Sequence, residues 1–377
     1  MNKKKSVVFL SNYFNHHQSE LSDALWTICD GDFSFIETAA MPVLRKKLGY
    51  TVQKRPYAVP YRGNEEQVLH MVRSADVVIA GSAPRYLVRE RIHTGKLLFC
   101  YSERPLKKGF EWYKYIPRLI LWHCRNPFWK PIYLLCASAY TAKDYRNFGL
   151  FRNKAYKWGY FPATKRYESI SELMVSKNIK EILWCGRFLD WKHPDDAIAV
   201  ARQLKKDGYD FCLKFIGEGE MADCLKNLVQ ENHLEDCVQF LGSMNPDQVR
   251  THMEHAGIFL FTSDRREGWG AVLNESMNSG CAVIASTAIG SVPHLIEDQN
   301  NGMVYKSGDV QQLTEKVKYL LEHPEKQKDL GLAAYKTIVD TWNAQMAAER
   351  VMELADYILD GRQGAVPFTS GPCSIAD

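Results

Sequence analysis

Short apolar runs and helical periodicity alternate twice along this chain, and that rhythm restricts the fold more than any other feature. In the first half the runs are SVVFLS (6–11), FSFIET (33–38), DVVIAGS (76–82), LLFCYS (97–102) and IYLLCAS (132–138), with helical patterns at 17–28, 65–74, 84–93 and 107–123. The second half repeats the pattern with EILWCGRF (181–188), FCLKFIG (211–217), VQFLG (238–242), GIFLFTS (257–263) and CAVIAS (281–286). Its helices fall near 194–206, 219–231, 246–255, 270–279, 309–322, 325–340 and 343–359. An unbroken apolar run suits a strand covered on both faces, and such strands joined through helices make parallel sheets. At 377 residues the chain is too long for one core. The fold class predicted is α/β, with two doubly wound domains facing a central cleft, because ligands of such sheets bind beyond the carboxyl ends of the strands.

Residues 1–160 are expected to form an N-terminal domain and 179–342 a C-terminal one, with 161–178 (FPATKRYESISELMVSKN) as linker. The helix 343–360 is expected to cross back to the first domain, and the Gly/Pro/Ser-rich segment 361–377 reads as a mobile tail. No run of eighteen apolar residues is present, so no membrane-spanning helix is expected. The four-residue run VVFL near the start is too short for a signal peptide and reads as a first buried strand. Ten cysteines lie scattered without a CxxC pair, which suits reduced thiols in a cytoplasmic protein and no zinc site. Residues 1–160 carry 26 Lys and Arg against 12 Asp and Glu, whereas the remainder carries 22 against 32, so the halves face different partners.

The stretch DRREGWGAVLNESMNSG (264–280) follows the carboxyl end of the strand 257–263 and opens a helix. Gly268 and Gly270 let backbone approach a ligand closely, and backbone N–H groups at a helix start suit phosphate. Glu267 stays in the loop, and Glu275 sits inside the helix. Eight helical residues span about 12 Å, a separation that suits one acid on each sugar of a nucleotide-sugar. Carboxylates accept hydrogen bonds from vicinal hydroxyls.

The Glu267-x7-Glu275 spacing, followed by SGCAVIASTAIGSVPHLIEDQNNGMVY, resembles the donor-site signature of glycosyltransferase family 4, retaining enzymes of the glycosyltransferase B fold with two Rossmann-like domains. WCGRFLDWKHPDDAI, KFIGEGEM and VQFLGSMNPDQV resemble the family's other donor-domain segments in order, so the likeness covers most of 180–310. The resemblance implies that Arg187 and Lys192 grip the donor diphosphate without a metal, that Glu267 holds sugar hydroxyls, and that Glu275 holds the ribose. Gly186, Gly268, Trp269, Gly270 and Ala271 would line phosphate and sugar. Ile216, Gly217 and Leu241 would shape the nucleotide pocket.

Weaker signals lie in the first half. SNYFNHHQSEL (11–21) stands where the family usually has a Gly-rich loop. Its Asn15, His16 and His17 are candidates for the acceptor or donor loop, or for a helix cap. Glu103, after the strand 97–102, either orients an acceptor hydroxyl and stabilises the transition state or pairs with a cation such as Lys107. Asp30-Gly31-Asp32 reads as a turn rather than a metal site. Segment 111–135 mixes Trp112, Trp122 and Trp129 with Lys114, Arg118, Arg125 and Lys130. That mixture suits a membrane interface or a helix pair with an aromatic core. A nucleic-acid partner is not expected.

The function implied is transfer of a hexose or N-acetylhexosamine from a nucleoside-diphosphate sugar, UDP favoured, to a saccharide or lipid-linked acceptor in surface polysaccharide synthesis. No cofactor or metal is expected. The enzyme would be cytoplasmic, on the inner face of the membrane. A sugar-nucleotide epimerase, a sugar phosphorylase of the same fold, or a non-catalytic nucleotide-sugar binding protein are the alternatives.

Overall fold

The computed structural model describes residues 5–43 and 53–376. The chain divides into two compact units: Met1–Ala163 together with Trp342–Asp377, and Thr164–Thr341.

The N-terminal unit is built on seven strands, β1 (Val7–Ser11), β2 (Phe33–Glu37), β3 (Ala58–Pro60), β4 (Val77–Ala80), β5 (Leu98–Ser102), β6 (Ile132–Cys136) and β7 (Ala155–Lys157). Their order is β3-β2-β1-β4-β5-β6-β7, and every pairing is parallel. Strand order reverses between β1 and β4, the point where a doubly wound sheet opens a crevice at its carboxyl edge. β1 and β6 are buried along their whole length, as unbroken apolar runs require. Phe9 packs edge-on against Phe35 at 5.2 Å, tying β1 to β2. Arg91 is fully buried and donates to the carbonyls of Val72, Ala75, Asp76 and Leu97. That arrangement satisfies backbone acceptors where two helices meet strand ends.

The C-terminal unit carries β8 (Asn178–Cys185), β9 (Cys212–Ile216), β10 (Val238–Phe240), β11 (Ala256–Phe261), β12 (Ala282–Ser286) and β13 (Met303–Tyr305). Their order is β10-β9-β8-β11-β12-β13, again all parallel, with the reversal between β8 and β11. Helices cover the sheet. Pro194–Lys206 presents Ala197, Ile198, Ala201 and Leu204 to it, an i, i+1, i+4, i+7 stripe.

Several expectations need correction. Strands β3, β7 and β13 were not expected; each has three residues at a sheet edge, too short to leave an apolar run. The helix expected over 107–123 is a 3-10 turn, Trp112–Lys114, leading into the helix Tyr115–Arg125. Gly109, at φ +105°, donates to the Leu106 carbonyl and closes a turn where that helix was to begin. Within 161–178, Phe161 is buried in the N-terminal unit, while Ile170–Ser176 forms a helix of the C-terminal unit. The tail is not loose. Lys157 N–H donates to the Ser374 carbonyl at 2.7 Å, and Cys373 N–H donates to the Lys157 carbonyl at 2.8 Å. The segment runs antiparallel to β7, with Cys373, Ser374 and Ala376 buried, and so covers a sheet edge that would otherwise stay open. Between the units' sequences, Trp342 returns the chain to the N-terminal unit, stacked 6.5 Å from Phe161. The helix Ala344–Leu359 then packs on the helix His16–Ile28.

Candidate functional site

In the C-terminal unit, the candidate residues converge on the carboxyl edge of the sheet. β8 ends at Cys185, and Gly186 and Arg187 follow; β9 ends at Ile216, before Gly217. β11 ends at Phe261, before the loop that holds Glu267. Lys192 closes the 3-10 turn Asp190–Lys192 and is placed by a relay. The Trp184 indole donates to Thr262 Oγ1 at 2.9 Å, and the Thr262 hydroxyl donates to the Lys192 carbonyl at 2.6 Å. The Lys192 ammonium, 13% exposed, then forms an ion pair with Glu267, 12% exposed. Ser263 Oγ also donates to Glu267, at 3.2 Å. A largely desolvated ion pair fixes both side chains more firmly than an exposed one. Arg187, in the loop after β8, is exposed.

Glu275 lies in the helix Val272–Asn278, and burial raises its carboxyl to about 7, with Arg250 opposing. The Cys185 thiol is pushed up to about 12 by burial and then by Glu275, while Lys192 acts against it. Glu275 and Lys192 therefore act on one point at the end of β8. Gly217, at φ +138°, lets the β9 loop close on the β8 loop: a Cβ there would sit 1.9 Å from the Gly186 carbonyl oxygen. Gly270, at φ +82°, lies where a Cβ would meet the Phe261 ring at 2.3 Å. Leu241 is half-buried after β10 and donates its N–H to the Phe215 carbonyl.

Two donor-pocket assignments change. The Trp269 side chain is fully buried and donates to Asn274 Oδ1 at 2.8 Å, so it packs beneath the loop and cannot line a ligand. Ile216 is 2% exposed and belongs to the sheet core. Gly268 is buried, whereas Gly186, Gly270 and Ala271 are partly open. His193, Asp195 and Asp196 bring potential ligand atoms within 4.8 Å of one another and are the residues of this unit that could hold a metal. Asp196 is raised to about 6 by burial. Both acids also sit in the first turn of Pro194–Lys206, where the helix dipole favours carboxylates without an ion.

In the N-terminal unit a cavity of about 530 Å³ opens at the strand reversal. Its lining includes Asn15, His17, Tyr101, Ser102, Glu103 and Tyr160. Asn15 Oδ1 accepts from the His17 N–H at 2.9 Å and caps the helix His16–Ile28. The His16 and His17 rings lie 3.9 Å apart at that helix start. Of the two readings offered for Glu103, the ion pair with Lys107 is present, and the Tyr160 hydroxyl donates to the other carboxylate oxygen at 2.6 Å. Both oxygens are engaged, so Glu103 is a fixed hydrogen-bond acceptor rather than a free base. Tyr101, Tyr160, Asn12 and Ser82 line the cavity without having been singled out in the sequence. Their position at or just beyond the ends of β1, β4, β5 and β7 is the signal that would have found them. Asp30 and Gly31 form the expected turn before β2, with φ of +55° and +87°.

Residues 167–337 match the family glycosyl transferases group 1. AmsK, the amylovoran biosynthesis glycosyltransferase of Erwinia amylovora, is 29% identical over 182 residues, 47% of this chain and 44% of AmsK. The chain spans about half the length, or less, of the first curated relatives it matches. Over 92% of this chain and 98% of its own, HepE of Anabaena in complex with UDP superposes with a TM-score of 0.67 at 15% identity. TarM of S. aureus, with fondaparinux, α-GlcNAc-glycerol and UDP, superposes with a TM-score of 0.68 at 12% identity, covering 93% of this chain and all of that one. Residues 167–337 thus resemble glycosyl transferases group 1, in a chain of two Rossmann-like α/β domains with the glycosyltransferase B fold.

Proposed function

We propose that this chain is a retaining, metal-independent glycosyltransferase that moves a hexose or N-acetylhexosamine from a UDP-sugar to a saccharide acceptor in surface polysaccharide synthesis. The observation that carries the reading is the Lys192–Glu267 pair, held at the strand reversal of the sheet within the family match. Lys192 and Arg187 would neutralise charge growing on the leaving diphosphate, the work a metal does in other transferases. Glu267 would accept from sugar hydroxyls. Glu275, close to half-protonated at neutral pH, can either donate to a ribose hydroxyl or accept from it. UDP in HepE and TarM, and the amylovoran biosynthesis named for AmsK, support the choice of donor and product class.

A lipid-linked acceptor at an anionic membrane surface is part of the same reading. Eight of the fourteen exposed large apolar side chains among the described residues lie between Phe110 and Trp129. Lys108 and Lys130 flank them, and Arg125 lies among them. Among the described residues no helix is long and apolar enough to cross a membrane, so contact would be at the surface. Co-sedimentation with vesicles containing phosphatidylglycerol checks this: Trp112→Ser with Trp129→Ser should lose most binding.

Release of UDP and formation of glycosylated product, followed with a UDP-sugar panel, test the main reading. Glu267→Ala and Lys192→Ala should each lower transfer by about a hundredfold or more, the loss typical of a transition-state contact. Near-normal turnover in either variant rules the assignment out. Interconversion of the donor sugars without an acceptor would indicate an epimerase.

A further inference from the structure

The cavity of the N-terminal unit has a chemical bias. It holds hydroxyl and amide side chains, among them Ser11, Asn12, Gln18 and Ser82, and one carboxylate, Glu103. Among the described residues no lysine or arginine lines it. The nearby cation, Lys107, is ion-paired to Glu103 and lies outside the lining. His17 is the other titratable side chain besides the tyrosines.

The polar groups are also pre-oriented. Gln18 Nε2 donates to Ser11 Oγ at 3.1 Å, and Asn15 Nδ2 donates to Gln18 Oε1 at 3.3 Å. Glu103 is held between Tyr160 and Lys107, which leaves further lone pairs for hydroxyl donors. Tyr101 and Tyr160, with ring centres 5.9 Å apart, supply aromatic faces for the C–H side of a pyranose ring. Among the described residues lining the cavity, a phosphate has no such provision. The start of the helix His16–Ile28 is capped by its own Asn15, and the preceding loop, Ser11 to Asn15, contains no glycine.

We propose that this cavity receives an uncharged, hydroxyl-rich sugar ring and discriminates against uronic acids and sugar phosphates. The inference rests on the transferase reading and narrows its acceptor: the residue that enters this cavity is a neutral sugar. Discrimination comes from the cost of bringing a second anion beside Glu103, whose partner Lys107 is already engaged, with no lysine or arginine in the lining among the described residues to meet it.

Saturation-transfer NMR on the full chain at pH 8 tests the proposal. One set of probes is the methyl glycosides of glucose, galactose, mannose and N-acetylglucosamine. The other is the methyl glycosides of glucuronic and galacturonic acid, with glucose 6-phosphate. At least one neutral glycoside should bind, and its charged counterpart at least about tenfold more weakly. Glu103→Gln should narrow that gap to about threefold or less, and Ser82→Lys, at an exposed rim position, should reverse the preference. A charged sugar that binds as tightly as the neutral ones overturns the proposal. So does the absence of neutral-sugar binding in protein that still binds UDP. Failure to bind UDP instead overturns the donor reading and leaves the sugar preference to be read on its own.

Discussion

Replacing Gly217 with alanine should unfold the C-terminal unit far more readily than an alanine at a comparable open glycine. Gly217 has φ +138°, and its Cβ would sit 1.9 Å from the Gly186 carbonyl oxygen and 2.9 Å from the Gly186 carbonyl carbon. Both are backbone atoms, so no side chain can swing aside. The backbone conformation costs about 1–3 kcal/mol for a residue with a Cβ, and forcing a methyl group into filled space adds about 1–3 kcal/mol. A total of about 4 kcal/mol follows from the middle of both ranges. Gly208, at φ +79°, has nothing within 4 Å, so Gly208→Ala carries the backbone cost alone, about 1 kcal/mol. In a domain of this size each kcal/mol moves Tm by about 2–4 °C. Differential scanning calorimetry should therefore place Gly217→Ala roughly 8–16 °C below the parent and Gly208→Ala roughly 2–4 °C below it. The displaced atom belongs to the loop that carries Arg187 and Lys192, so Gly217→Ala should also weaken UDP binding at temperatures where it is fully folded. Equal melting of the two variants would refute the close-packing argument.

Glu275 makes stability depend on pH. Its carboxyl is raised to about 7 in the folded chain, against an ordinary value of 4.5. Between those values the folded state binds more protons than the unfolded one. The contribution is full below about pH 4.5 and is lost as pH rises to 7 and beyond. Relative to Glu275→Gln, the parent should lose about 3 kcal/mol between pH 4.5 and 8, read by urea unfolding; a gap that does not change with pH contradicts the buried carboxyl. Deleting residues 365–377 strips Cys373, Ser374 and Ala376 from the β7 edge and should lower the melting of the N-terminal unit alone. A C-terminal unit that melts earlier as well would contradict the tail's assignment to its neighbour's sheet.

The central strands are legible in the sequence because burial on both faces demands unbroken apolar residues, as in Val7–Leu10 or Ala256–Phe261. Edge strands such as β3 and β13 need no such run and leave no mark. The tail misleads by composition. Gly364, Gly371 and Pro372 read as loose chain, yet Cys373 and Ala376 find buried positions through pairing 216 and 221 residues away in sequence, which no local pattern encodes. At the candidate site, Glu267 and Lys192 are visible by spacing. Their meeting is not, because it depends on Trp184 and Thr262, 78 residues apart. Trp269 misleads in another way: an indole between two glycines looks like a stacking platform, but Asn274 in the next helix takes its N–H into the core. The cavity of the N-terminal unit draws on the ends of β1, β4, β5 and β7, and only the strand order shows that these ends are neighbours.

Hydrogen exchange on the full chain, with and without UDP, bears most directly on the claim that the carboxyl edge of the C-terminal sheet is a nucleotide-sugar site. Slowed exchange should appear at 186–192, 216–219 and 263–275, and it should vanish in Lys192→Ala. Protection confined to the N-terminal unit, or none at UDP concentrations that saturate related enzymes, would contradict it.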